Sequence, residues 1–195
     1  MSSLGATDFR KYRIIKKAVA PMPVLVSAET DERAALLQFV EAQRGALRRA
    51  VGGLTEEQAS SRPTVSELSV AGLLKHCAEM ESNWVRVILA GRPSLRQRDE
   101  SNWGDSFRLV DGETVADVLA FYEAVATETT EIITALPNLD VEVPLPKAPW
   151  FPEGSRRSAR WILLHLVEEV ARHAGHADIL RESVDGATAF ALLGW

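Results

Sequence analysis

The sequence predicts an all-α domain, a four-helix bundle, on three observations. Four long segments repeat their apolar residues at three- and four-residue steps, the period of a helix with one buried face. Each segment is closed by glycine or proline. Strand-like alternation is confined to "VEVPLP" at 141–146, from which no sheet is expected. A chain of 195 residues suits one domain and is short for two.

In chain order, residues 1–29 lack a helical period and carry Pro21 and Pro23, so they read as an extension, with the bundle over 30–195. Arg10, Lys11, Arg13, Lys16 and Lys17 before "AVAPMPVLVSA" loosely mimic a signal peptide. The two prolines and the long basic lead-in favour a loosely docked arm instead. From Asp31, the residues Leu36, Val40, Gln43, Leu47, Ala50 and Leu54 mark the first helix, which Gly52 and Gly53 end. "TEEQ" at 55–58 is a capping box that starts a short helix, stopped by Pro63. The second long helix is expected from about Glu67 to Leu89, with Leu73, His76, Cys77, Met80, Trp84, Val87 and Ile88 on one face. Residues 91–112 are polar and read as a loop. The third runs from Thr114 to about Leu136, ahead of Pro137, and the fourth from about Ser158 to Ser183, ahead of Asp185-Gly186. Loops as long as those before the third and fourth helices tend to be functional or to cross the bundle.

Composition narrows the function. A hydrophobic fraction of 46% with 25% charged residues is that of a soluble globular chain. The net charge of −5 argues against nucleic acid. No apolar run reaches the ~18–20 residues that span a bilayer, so no membrane role is expected. The single cysteine, Cys77, excludes an internal disulfide and fits the reducing cytoplasm.

Three of the four histidines fall in "HLVEEVARHAGH", residues 165–176 of the last helix. At about 100° per residue, Ile162, Leu166, Val170, Ala177 and Leu180 define the core arc. Glu169 and His173 lie inside that arc, His176 at its edge beside His165, and Glu168 and Arg172 outside. A carboxylate on a buried face must find a partner or take up a proton. Glu169 and His173, four residues apart, lie one above the other and can share a metal ion. The fourth histidine, His76, points inward from the second helix. Two ligands from one helix and one from another leave the fourth position open, the pattern of a catalytic metal site. Plainer readings stand beside this one. Glu169–His173 is also a plausible core ion pair, and His76 a satisfied core histidine. Cys77 reads first as a small buried hydrophobe that could tune the site, and Met80 and Trp84 as core.

"RWILLHLVEEVARHAGHADILRESVDG", residues 160–186, resembles the last bundle helix of the DinB-like superfamily. The likeness is to the branch that includes mycothiol-dependent maleylpyruvate isomerases and thiol transferases. "LTEEQASSRPTVSELSVAGLLKHCAEMESNWV", residues 54–85, resembles the segment that holds that family's first metal histidine. The resemblance covers roughly residues 30–190. It implies an up-down-down-up bundle with long crossover loops and a divalent metal on His76, Glu169 and His173. The isomerase branch uses Glu-x-x-x-His, which this chain matches. The family's usual "HRGQ" is "HAGH" here, with His176 in the Gln place.

The function implied is activation of a low-molecular-weight thiol such as mycothiol, for transfer to or isomerisation of a small electrophile. A bound cation favours thiolate over thiol. Zinc suits this ligand set and nickel takes the same one. His165 and His176 are the candidate catalytic groups, orienting Glu169 or moving a proton. Residues 91–112 and 144–156 would form a lid, with Trp103, Trp150 and Phe151 as walls. Arg156, Arg157 and Arg160 would be placed to bind an acidic substrate or cofactor. Three alternatives remain: a metal-dependent hydrolase with water in the open position, a non-catalytic metal-binding or stress-response bundle, and a metal-free core ion pair. A homodimer through bundle faces is a further expectation.

Overall fold

The computed structural model describes residues 25–29, 31–149 and 151–194, so most of the 1–29 extension and Trp150 lie outside the described residues. Four long helices form the frame: α1 (Glu32–Val51), α3 (Val70–Ser82), α4 (Val115–Ala135) and α5 (Ala159–Asp185). Two short ones, α2 (Glu56–Ser60) and α6 (Ala189–Leu192), accompany them. No helix among the described residues is long and apolar enough to cross a membrane.

Side-chain caps set the helix starts. Asp31 accepts from the Ala34 N–H at 2.8 Å, and Ser69 from Gly72 at 3.1 Å. Thr55 with Gln58, and Thr114 with Asp117, form complete capping boxes. Ser158 opens α5, and Gly186, in the left-handed region at φ 77°, ends it.

Two expectations are corrected. The second long helix begins at Val70, not Glu67. The hydroxyls of Thr64 and Ser66 accept from the N–H groups two residues on, and these local bonds draw the backbone away from helix. And "VEVPLP" does make a sheet: β1 (Glu142–Pro144) pairs antiparallel with β2 (Arg156–Ser158), Val143 opposite Arg157. Pro144, which has no N–H to donate, sits at the end of this two-stranded ribbon.

Contacts between charged groups fix the helix directions. Arg160 pairs with Glu32, and Arg181 donates to the Ala50 and Gly52 carbonyls at 2.8 and 2.7 Å, so α1 and α5 run the same way. Arg33 reaches the Thr134 carbonyl while Arg48 pairs with Glu123, so α4 runs against α1. Lys75 meets Glu113 just ahead of α4, and Arg86 meets Glu128, so α3 and α4 are parallel. The bundle is therefore up-down-down-up, and the chain after α3 must return along its length to start α4.

The core is two apolar clusters, with Met80 packed against both. Buried Glu81 accepts from Arg44 at 3.0 and 2.5 Å and from the Thr129 hydroxyl at 2.7 Å. These bonds compensate the burial of a carboxylate whose residue is 0% exposed.

Past Ser82 the helix widens into π-helical turns over Asn83–Leu89. The return segment follows, with a 3-10 turn at Trp103–Phe107. It is anchored by ion pairs: Arg92–Glu128 at 2.6 Å, Arg98–Glu79 at 2.6 Å and Arg96–Glu113 at 3.2 Å. Lys75 Nζ donates to the Arg108 carbonyl at 3.0 Å. Gly72 lets this segment lie directly on α3, since a Cβ there would fall 2.0 Å from the Phe107 carbonyl oxygen.

Candidate functional site

Antiparallel packing of α3 on α5 brings His76 against His173, with ring centroids 4.9 Å apart and the rings nearly perpendicular. One helical turn along α5, Glu169 Oε2 lies 3.6 Å from His173 Nε2. The His76 ring is held by Phe107, stacked at 4.0 Å with planes 18° apart. His176 sits beyond His173 at 5.6 Å. His165 is stacked on Trp161 at 4.9 Å and meets the Trp84 ring edge-on at 4.8 Å.

A cavity of about 520 Å³ opens above this cluster. His76, Glu169 and His165 line it, while neither His173 nor His176 is among its walls. The return segment supplies Arg96, Arg98 and Trp103, and the β1–β2 connection supplies Phe151, as the lid reading expected. The helix frame adds Glu79, Trp84 and Phe121. Arg156, Arg157 and Arg160 are not at the cavity. Arg156 donates to the Glu142 carbonyl, Arg157 lies 5.0 Å over Trp161, and Arg160 is shared by Glu32 and Asp140. They hold the ribbon and the helix ends together.

The electrostatics disfavour the charged form of His76 and His173. Burial, then the neighbouring His173, hold the His76 pKa down to about 4 from an ordinary 6.5. Burial likewise lowers that of His173, against the opposing pull of Glu169. A neutral imidazole keeps a lone pair for a metal. Cys77 is different: burial pushes its thiol pKa up, so it is a packed hydrophobe and not a nucleophile.

Whether these residues suit a metal is tested by their own geometry. At 3.6 Å, Glu169 and His173 are too far apart for a hydrogen bond. Two donors about 2.0–2.2 Å from one tetrahedral ion stand roughly 3.3–3.5 Å apart, close to the separation seen. His173 Nδ1 is buried without a hydrogen-bond partner among the described residues, so no hydrogen bond from them competes for its ring orientation. The pair therefore fits, and His76 is the neutral donor next to it. Among the described residues no three such groups are yet gathered around one point. The Phe107 stack sets the plane in which His76 waits.

The lowered His76 pKa gives a pH prediction for chelator-treated protein. The folded state binds fewer protons than the unfolded state between pH 6.5 and 4, so this stability is complete above that window and is lost as pH falls through it. His76→Gln should flatten the decline, by at most about 2 kcal/mol between pH 7 and 5. Urea midpoints at the two pH values measure it, and equal slopes in both proteins would contradict the burial of this ring.

The structure brings the expected residues His76, Glu169 and His173 together and sets His165 in the cavity wall, whereas Glu79, Arg96, Arg98, Phe107 and Phe121 were not singled out from the sequence. Glu79 is one turn past His76 on the same helix face, a signal open to inspection. The arginines and Phe107 come from an aperiodic loop, where only the fold brings them over the site.

A family model described as mycothiol-S-transferase matches residues 35–186. Comparison with curated proteins gives no significant match. Among solved structures, a conserved protein of Enterococcus faecalis superposes with a TM-score of 0.64 at 14% identity, over 82% of this chain and 100% of that one. YfiT from Bacillus subtilis, described as a probable metal-dependent hydrolase with an unusual four-helix bundle topology, gives a TM-score of 0.58 at 19% identity, over 79% of this chain and 88% of its own. Both likenesses concern the fold.

Proposed function

This chain belongs to the mycothiol-S-transferase family, and from that premise we propose that it transfers a low-molecular-weight thiol of the mycothiol kind to a small electrophile, with a divalent metal on His76, Glu169 and His173. The observation that carries this reading is the Glu169–His173 pair, spaced as two ligands of one ion and backed by neutral His76 at the floor of a roomy cavity. A bound divalent cation, zinc or alternatively nickel, supplies the positive charge that favours thiolate over thiol near neutral pH.

The chain's own residues do the rest. Trp161 and Trp84 hold His165 in the cavity wall, where it takes the thiol proton and passes it to solvent. The thiolate lone pair forms the new C–S bond while the leaving group departs with its bonding electrons. Trp84, Phe121 and Phe151 bury the electrophile and exclude water. His176 acts through His173, whose ring it meets at 5.6 Å, as a positioning residue, standing outside the cavity. His176→Ala should keep the metal bound while turnover falls about tenfold. Loss of metal would make His176 a ligand.

The test is elemental analysis of protein purified without a histidine tag or chelator, with thiol consumption measured beside it. About one metal per chain is expected in wild type and little in His76→Ala. Thiol should be consumed only with metal and electrophile both present. Turnover without thiol would replace the transferase with a hydrolase. Metal absent from wild type after incubation with zinc or nickel would remove the metal centre.

A further inference from the structure

We propose, resting on the thiol-transfer reading, that Glu79 is a specificity-determining residue: it occupies the Arg98 guanidinium in the cavity wall and so directs the cavity to uncharged electrophiles over carboxylate-bearing ones. Two arginines line the cavity, Arg96 and Arg98. An open guanidinium is a planar fork that matches a carboxylate. The fork of Arg98 is already filled from within. Its Nε donates to Glu79 Oε2 at 2.8 Å and its Nη2 to Oε1 at 2.6 Å. Glu79 is only 9% exposed, so solvent screens the pair weakly.

Arg96 is engaged as well, lying 5.0 Å over the Phe121 ring and 3.2 Å from Glu113. Each cationic side chain of the wall thus faces a carboxylate of the protein. Away from the proposed metal position, an entering carboxylate must displace Glu79 from Arg98 or stand desolvated and unpaired. An uncharged aromatic ring meets Trp84, Phe121 and Phe151 without that penalty. The arginines near the start of α5 offer no substitute, since they are held at the ribbon, away from the cavity.

The test compares dinitrobenzene with dinitrobenzoate, a matched pair of unreactive ligands, by quenching of tryptophan fluorescence in the chelator-treated full chain without added thiol, so that no cation takes the carboxylate. Trp84 and Trp103 in the wall report binding. Wild type should bind the uncharged ligand about tenfold more tightly. In Glu79→Gln, which frees the Arg98 fork, the ratio of the two Kd values should fall to about one or invert. In Arg98→Gln, which leaves a bare carboxylate on the wall, the ratio should be at least that of wild type. A wild-type ratio near one, or an unchanged ratio in Glu79→Gln, overturns the proposal. If Glu79→Gln does not fold, Arg98→Gln decides, and a reduced ratio there overturns it. Binding is read without turnover, so absence of thiol transfer would sink the proposed activity and leave this ratio standing.

Discussion

Replacing His173 by alanine is expected to strip the metal and lower thiol-dependent turnover by about a hundredfold or more. The expectation rests on position. His173 is the one side chain in contact with both other candidate ligands, 4.9 Å from the His76 ring centroid and 3.6 Å from Glu169. Without it the remaining two donors stand on different helices with nothing between them. Glu169→Gln tests the same assignment with shape conserved, since it removes a ligand charge and leaves the helix packing intact. Metal content and activity should fall together in both variants, by elemental analysis and initial rates. Wild-type metal levels in both would mean that these residues form an ion pair and nothing more.

Gly72→Ala is expected to destabilise the protein by about 3 kcal/mol or more, at or above the top of the usual range for overpacking. The added Cβ would meet the Phe107 carbonyl oxygen at 2.0 Å and its carbon at 2.7 Å. Both are backbone atoms, so no rotamer change relieves the contact. The 3-10 turn must lift off α3, and the Phe107 ring must leave His76, one helical turn from Gly72. Denaturant unfolding measures the stability loss. Activity should fall further than the folded fraction explains, because the His76 plane is set by that stack. Phe107→Ala supplies the comparison. If the two changes are independent in a double-mutant cycle, the glycine and the ring do not act as one device.

The starts of α1, α2, α4 and α5 were legible because their causes are local. Asp31, Thr114 and Ser158 cap the helices that the apolar period marks, and Thr55 with Gln58 closes its box as the four letters say. Glu169 and His173 were legible for the same reason, since four residues on one helix fix their mutual placement. Three features were hidden because their causes lie elsewhere in the chain. Arg44 is buried by Glu81, thirty-seven residues away, and no period marks a buried arginine. The β1–β2 ribbon pairs the one alternating stretch with residues 156–158, which show no alternation of their own. And the wide turns after Ser82 move the buried set to Val85 and Leu89, where an unbroken α-helix puts Val87 inward.

The parallel course of α3 and α4 has a consequence for how this protein can change. From Val70 to Leu89 the helix advances about 30 Å, and the connection must recover that distance before Val115. Residues 90–114 carry a contour length of about 80 Å at full extension, more than twice the need. The slack is what folds over the cavity as the 3-10 turn and the arginine-bearing segment. The proposed ligands sit on helices whose spacing the bundle fixes, and Arg96, Arg98 and Trp103 of the cavity wall sit on surplus cord. Residues can be added to or removed from that cord ahead of the Phe107 turn without moving His76, Glu169 or His173, so the cavity wall can drift while the three side chains stay in place.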